Sequence, residues 1–137
     1  MKQTVARALS QLSLVPIVLH ERPNCGQTII EKFERESDVG FAVVLLSPDD
    51  CGYARSSGET SAKNRARQNV VLELGYFVGK LGRSKVCALR KGDTEVPSDF
   101  AGVVYTRFDD AGAWRFSLGQ ELNAAGYEID LNKLMSK

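Results

Sequence analysis

The sequence predicts a single α/β domain over residues 1–137, a parallel sheet flanked by helices, and three observations point there. Short apolar runs bounded by turn residues alternate with segments of helical periodicity, the pattern of successive β-α-β units. The run FAVVLLS over residues 41–47 is apolar without alternation, as expected of a strand buried on both faces. The segment NRARQNVVLELGYFVGKLGR over residues 64–83 carries one apolar stripe, Val70, Val71, Leu74, Phe77, Val78 and Leu81, which marks a helix laid against a sheet. A chain of 137 residues with 43% hydrophobic and 26% charged side chains suits one core and excludes a largely disordered protein.

Taken in order, residues 3–14 read as a helix, with Val5, Ala8, Leu9 and Leu12 at three- and four-residue spacing. VPIVLH over residues 15–20 reads as a short strand interrupted by Pro16. A polar turn from Glu21 to Gln27 follows, and Thr28 with Glu31 then forms a capping box for a helix running to about Ser37. After the strand at 41–47, the connection from Pro48 to Ser61 exceeds the ~2–6 residues usual between strand and helix. It reads equally as a functional loop and as a solvated excursion. Lys85–Arg90 and Val103–Phe108 are further strands, separated by a Gly/Asp/Pro-rich connection without a helix signal, and a last helix spans 113–125 with Asp109 or Asp110 as its cap. No internal repeat, linker or low-complexity tract interrupts the chain.

Several function classes are excluded. A formal net charge of +1 argues against a dedicated nucleic-acid binder. No apolar stretch approaches the ~20 residues of a membrane helix, and the N-terminus has no signal-peptide pattern. Cys25, Cys51 and Cys87 are odd in number and widely spaced, which speaks against a disulfide framework or a structural metal site and for a reducing, cytoplasmic location. Cys25 beside Arg22 reads more readily as a turn cysteine than as a reactive thiol. There is no Walker loop, serine elbow, G-x-G-x-x-G or H-E-x-x-H.

Ligands of open parallel sheets bind outside the carboxyl ends of the strands. The turn from His20 to Gln27 and the loop after residue 47 are predicted there. Arg67 falls on the inner face of the 64–83 helix, one turn before its first valine, where it meets an anion or a carboxylate such as Asp49. Glu73 lies about 100° from the centre of the apolar stripe, with Asn69 one turn earlier. Spacing by itself favours a half-exposed carboxylate paired with a nearby lysine or arginine. His20 lacks a serine or cysteine partner at a recognisable spacing.

VPIVLHERPNCGQTIIEKFERESDVGFAVVLLSPDD followed by RARQNVVLELGYFVGKLGR resembles the bacterial TIR-like domains of the "predicted nucleotide-binding protein" type, also found fused to STING-like cyclic-dinucleotide sensors in anti-phage defence. The resemblance covers nearly the whole chain. It implies a flavodoxin-like fold of strand order 2-1-3-4-5 and cleavage of NAD+ at the nicotinamide–ribose bond, switched on by self-assembly. NAD+ is then substrate, and no cofactor or metal is implied. The family's essential glutamate matches Glu73, and the turn from His20 to Gln27, including Arg22, matches the loop that contributes to assembly and closes over NAD+. Asp49, Asp50, Arg67 and Asn69 fall in the matching stretch around the pocket.

In one respect the chain departs from that pattern. The family begins with a strand, whereas this chain begins within the first helix, so the flavodoxin-like sheet is expected to lack its first strand. VPIVLH and FAVVLLS would flank the gap, with their edges exposed, paired directly, or bridged by another chain. Three functions are therefore open: an assembly-gated NAD+ glycohydrolase, a non-catalytic TIR assembly module, and a nucleotide-binding domain without cleavage. The activating signal is expected from another chain or from sequence outside this one.

Overall fold

The computed structural model describes residues 1–21, 25–35, 38–100 and 102–135. Its elements are α1 (Lys2–Gln11), α2 (Ile29–Arg35), β1 (Ala42–Leu46), β2 (Asp50–Gly52), β3 (Lys63–Arg65), α3 (Gln68–Leu81), β4 (Val86–Arg90), β5 (Val104–Arg107) and α4 (Trp114–Ala124). Contacts divide the chain into two units, Phe41–Ile129 and Met1–Gly40 with Asp130–Lys137.

The Phe41–Ile129 unit holds a parallel sheet of order β1-β4-β5, with Val44 opposite Ala88 and Cys87 opposite Val104. This is the 3-4-5 run of the expected 2-1-3-4-5 order. β4 is central, and Val86, Cys87, Ala88 and Leu89 are all buried, which explains its unalternating apolar sequence. The crossover from β1 to β4 is made by α3, whose Leu74 and Phe77 are buried, and α3 contacts both strands. The flanking Val70, Val71, Val78 and Leu81 of the expected stripe are half-buried. α4 contacts β4 and β5 and buries Trp114, Leu118 and Leu122 at four-residue spacing. Its start is set by Asp109, whose carboxylate accepts from the amides of Ala113 and Trp114, both at 3.0 Å. Trp114 stacks on Phe108 with ring centroids 4.9 Å apart. Among the described residues of 91–103 there is no helix.

The long connection after β1 is not the open loop that its length predicts. Its ends pair as a second, antiparallel sheet, β2 with β3, and residues 53–62 form the excursion between them. Three-residue strands, mostly exposed, leave no periodicity to read.

In the other unit, α1 buries Val5 and Ala8 and ends earlier than residue 14 because Ser13 adopts a positive φ of 64°. Lys133 Nζ donates to Ser13 Oγ at 3.1 Å, tying the 3-10 turn Leu131–Leu134 to the end of α1. The capping box forms as the sequence predicts: Thr28 N–H donates to Glu31 Oε2 at 3.0 Å and Glu31 N–H to Thr28 Oγ1 at 3.2 Å. VPIVLH does not form the expected strand. Residues 14–18 are irregular, Val15 is 90% exposed, and Leu19–Glu21 is a 3-10 turn. A strand gains stability only from a partner; this unit has none among its described residues, and Pro16 offers no N–H.

Two outcomes follow from these environments. Burial pushes the Cys87 thiol up to about 11, opposed by its hydrogen bond to Thr106 Oγ1 and reinforced by the charge of Glu121. Cys25 and Cys51 are exposed. A thiol reagent at pH 8 therefore labels two of the three cysteines in the native chain and the third only after urea, as mass spectrometry would read. The amides of Ala113, foremost, and Trp114 hold the Asp109 carboxyl below its ordinary value. A depressed carboxyl contributes stability that is complete above the unfolded value of about 3.9 and is lost as pH falls through the lower folded value. Asp109→Ala is expected to melt below wild type at neutral pH, with the difference closing under acid in a calorimetric pH series.

Candidate functional site

The candidate site is the carboxyl edge of the parallel sheet, to which each crossover delivers the start of a helix or connection. β1 leaves the sheet through Ser47, Pro48 and Asp49, where the Asp49 amide donates to the Ser47 carbonyl at 2.8 Å. In the β2–β3 hairpin, Asp50 stands opposite Arg65 and Gly52 opposite Lys63. Gly52 leaves room for the arginine, since a Cβ there would lie 2.7 Å from Arg65 Nη1 and push that side chain aside. The guanidinium so accommodated donates from Nε to Glu95 Oε2 at 2.6 Å.

That ion pair is one of three contacts joining the hairpin to the connection after β4. The Glu95 amide donates to the Asn64 carbonyl at 2.7 Å, and Asn64 Nδ2 to Asp93 Oδ1 at 2.9 Å. The connection is itself anchored. The Lys91 amide donates to the Leu46 carbonyl at 2.9 Å, and the fully buried Thr94 donates from Oγ1 to the Lys91 carbonyl at 2.6 Å. Two segments about thirty residues apart thus become one surface over the strand ends, held by one backbone hydrogen bond and two side-chain contacts.

Arg67 does not lie on the inner face of a helix as expected: Lys63–Arg65 is a strand, and α3 begins only at Gln68. Arg67 is the exposed residue just before it, yet its Nε lies 3.8 Å from Asp49 Oδ2, the expected partner. Both side chains are well exposed, at 69% and 44%, so the pair orients more than it stabilises. Asn69 is exposed in the first turn of α3, and Glu73 is half-buried one turn further, beside the buried Leu74. Because α3 runs back from the carboxyl edge, Glu73 lies in the half of the helix nearest that edge.

The edge therefore brings together Asp49, Asp50, Arg67, Asn69 and Glu73, with Asp50 committed to a strand rather than free in a loop. His20 lies exposed in the 3-10 turn Leu19–Glu21 of the other unit, and Arg22 lies outside the described residues. Sequence reasoning missed Asn64, Arg65, Asp93 and Glu95. The signal that could have found them was the density of charged and amide side chains immediately after two buried strands. No group of three or more His, Cys, Asp or Glu side chains able to hold a metal occurs among the described residues, and no described helix is long and apolar enough to cross a membrane.

Residues 1–110 match the family described as CAP12/Pycsar effector protein, TIR domain. The chain is 56% identical to the uncharacterized protein YuaY of Escherichia coli K12 over 135 residues, covering 98% of this chain and 44% of that protein. It is 36% identical to protein tirC of Dictyostelium discoideum over 118 residues, covering 80% of this chain and 59% of tirC. Over 81 residues, 57% of this chain, it is 38% identical to the Pycsar effector protein PaPycTIR of Pseudomonas aeruginosa, of which that stretch is 25%. The chain thus spans between about a quarter and three fifths of the length of these curated relatives. It belongs to the TIR-domain family of CAP12/Pycsar effectors, with the flavodoxin-like α/β fold of that family.

The stitched edge yields its own test. Arg65→Ala removes a pair whose side chains are 45% and 36% exposed, so global stability should fall by no more than about 1 kcal/mol in urea titration. Hydrogen exchange at the Glu95 amide should nevertheless accelerate, because its hydrogen bond to Asn64 depends on the hairpin staying docked.

Proposed function

We propose that this TIR domain is an NAD+ glycohydrolase, activated by self-assembly, that serves bacterial defence signalling. The observation that carries the reading is Glu73: a half-buried carboxylate on α3, in the half of the helix nearest the carboxyl edge of the sheet, within the stretch matched by the TIR family. The activating signal comes from a sensor segment or a separate sensor chain, and the self-association that switches the domain on uses TIR surfaces.

The chemistry asks little of the protein beyond a placed negative charge. The nicotinamide nitrogen of NAD+ is already cationic, so the bond from ribose C1 to that nitrogen breaks with its electron pair passing to the ring. Neutral nicotinamide leaves without a general acid. The ribose becomes oxocarbenium-like, and the Glu73 carboxylate stabilises that charge or orients the ribose hydroxyls. A water oxygen then bonds to C1 and releases its proton to solvent, giving ADP-ribose; an internal nucleophile in place of water would give a cyclic product. Asp49, Asp50, Arg67 and Asn69 line the approach to Glu73, and His20 and Arg22 belong to the turn that closes over the substrate in the assembly.

Nicotinamide release from NAD+ tests the reading. Release is expected to rise steeply with protein concentration and to fall about a hundredfold or more in Glu73→Gln, an isostere that keeps the packing and removes the charge. A well-folded wild-type chain that releases none at high concentration would overturn the glycohydrolase reading. If it still associates, the domain is an assembly module.

A further inference from the structure

A cleft of about 620 Å³ opens beside the stitched edge, between β3 and the connection after β4. Its polar lining is Lys63, Asn64, Arg90, Asp93 and Glu95. The carboxylates are already engaged. Glu95 is neutralised by Arg65 at 2.6 Å, and Asp93 accepts the Asn64 amide at 2.9 Å. The cations are not. Lys63 has no ion pair among the described residues, and Arg90 Nε is buried without any hydrogen-bond partner among them. A buried donor left unsatisfied carries its full desolvation penalty, which an acceptor in the cleft would remove.

Arg90 is also the last residue of the central strand, and Arg107 of β5 stands opposite it in register. Neighbouring like charges at the end of a parallel sheet repel, and a bound anion offsets the repulsion. The planar fork of a guanidinium matches the paired oxygens of a carboxylate or a phosphate, and the second cation beside it, Lys63, favours the more highly charged phosphate. The volume exceeds what one phosphate needs and falls in the range of nucleotide-sized sites.

We propose that this cleft is a diphosphate subsite, in which Arg90, with Lys63 and Asn64 beside it, holds the phosphates of a nucleotide. That the nucleotide is NAD+ rests on the glycohydrolase reading; the phosphate site itself does not. Arg90 here is a binding residue and takes no part in bond breaking.

Calorimetric titration of the whole chain with ADP, inorganic pyrophosphate and adenosine separates the two readings. Wild type is expected to bind ADP and pyrophosphate, with adenosine at least about tenfold weaker, and Arg90→Gln to weaken ADP about ten- to a hundredfold. Lys63→Ala, at an exposed position, should weaken ADP by a smaller factor and stands in should Arg90→Gln fail to fold. In the NAD+ assay Arg90→Gln should raise KM and leave kcat nearly unchanged, the signature of lost ground-state binding. Equal affinity for ADP and adenosine, or ADP affinity untouched by both substitutions, would overturn the subsite. Arg90-dependent ADP binding by a chain that releases no nicotinamide would support the subsite and overturn only the glycohydrolase. Nicotinamide release by a chain whose ADP affinity is untouched by both substitutions would do the reverse.

Discussion

Parallel pairing of β1 with β4 is the constraint from which the rest of the Phe41–Ile129 unit follows. Two parallel strands cannot be joined by a tight turn, so the chain must leave the carboxyl end of one and return to the amino end of the other. The returning element is α3, and its first turns are thereby fixed over the carboxyl edge. Whatever stands in those turns (here Arg67 just before the helix, Asn69, and Glu73) is delivered to the place where open sheets bind ligands. Leu74 and Phe77 supply the packing that holds the helix there, and with them its polar flank.

The same edge shows how a polar surface can be given a fixed shape without an apolar core of its own. The hairpin β2–β3 is too short to be stable alone. It is held to the connection after β4 by one main-chain bond and two side-chain contacts, and that connection is in turn bonded to the end of β1. The exposed ion pair of Arg65 with Glu95 adds direction to this arrangement more than free energy. The amide bonds are less affected by salt than exposed charges, so the surface keeps its form while its side chains remain available.

Charge at this edge is sorted rather than accumulated. The chain as a whole carries a formal charge of +1, yet Glu95, Asp93 and Asp49 each face a specific donor, while Lys63 and Arg90 face the cleft. A binding site for a phosphorylated ligand needs no basic protein around it, only local cations whose neighbouring carboxylates are already occupied.

What the sequence determined by itself is what neighbours in the chain decide. The apolar runs at 41–47, 85–90 and 103–108 became the three strands of the sheet, but only β4 is buried on both faces. β1, expected to be so, alternates buried and half-buried residues, and β5 is half-buried, because each has a described partner on one side alone. The Thr28–Glu31 box, the Asp109 cap and the inner face of α3 were legible because side chains three to five residues apart satisfy one another locally. The Asp49–Arg67 contact was expected too, although Arg67 makes it from just before the helix and not from the helix face on which the sequence placed it. Tertiary structure alone decided that VPIVLH forms no strand, because strand formation depends on a partner and not on the segment's own composition. It alone also placed Asn64 and Arg65 against Asp93 and Glu95, and left Arg90 Nε without a partner among the described residues. Those relations join residues about thirty positions apart through hydrogen bonds that leave no periodic trace, so only the folded chain reveals them.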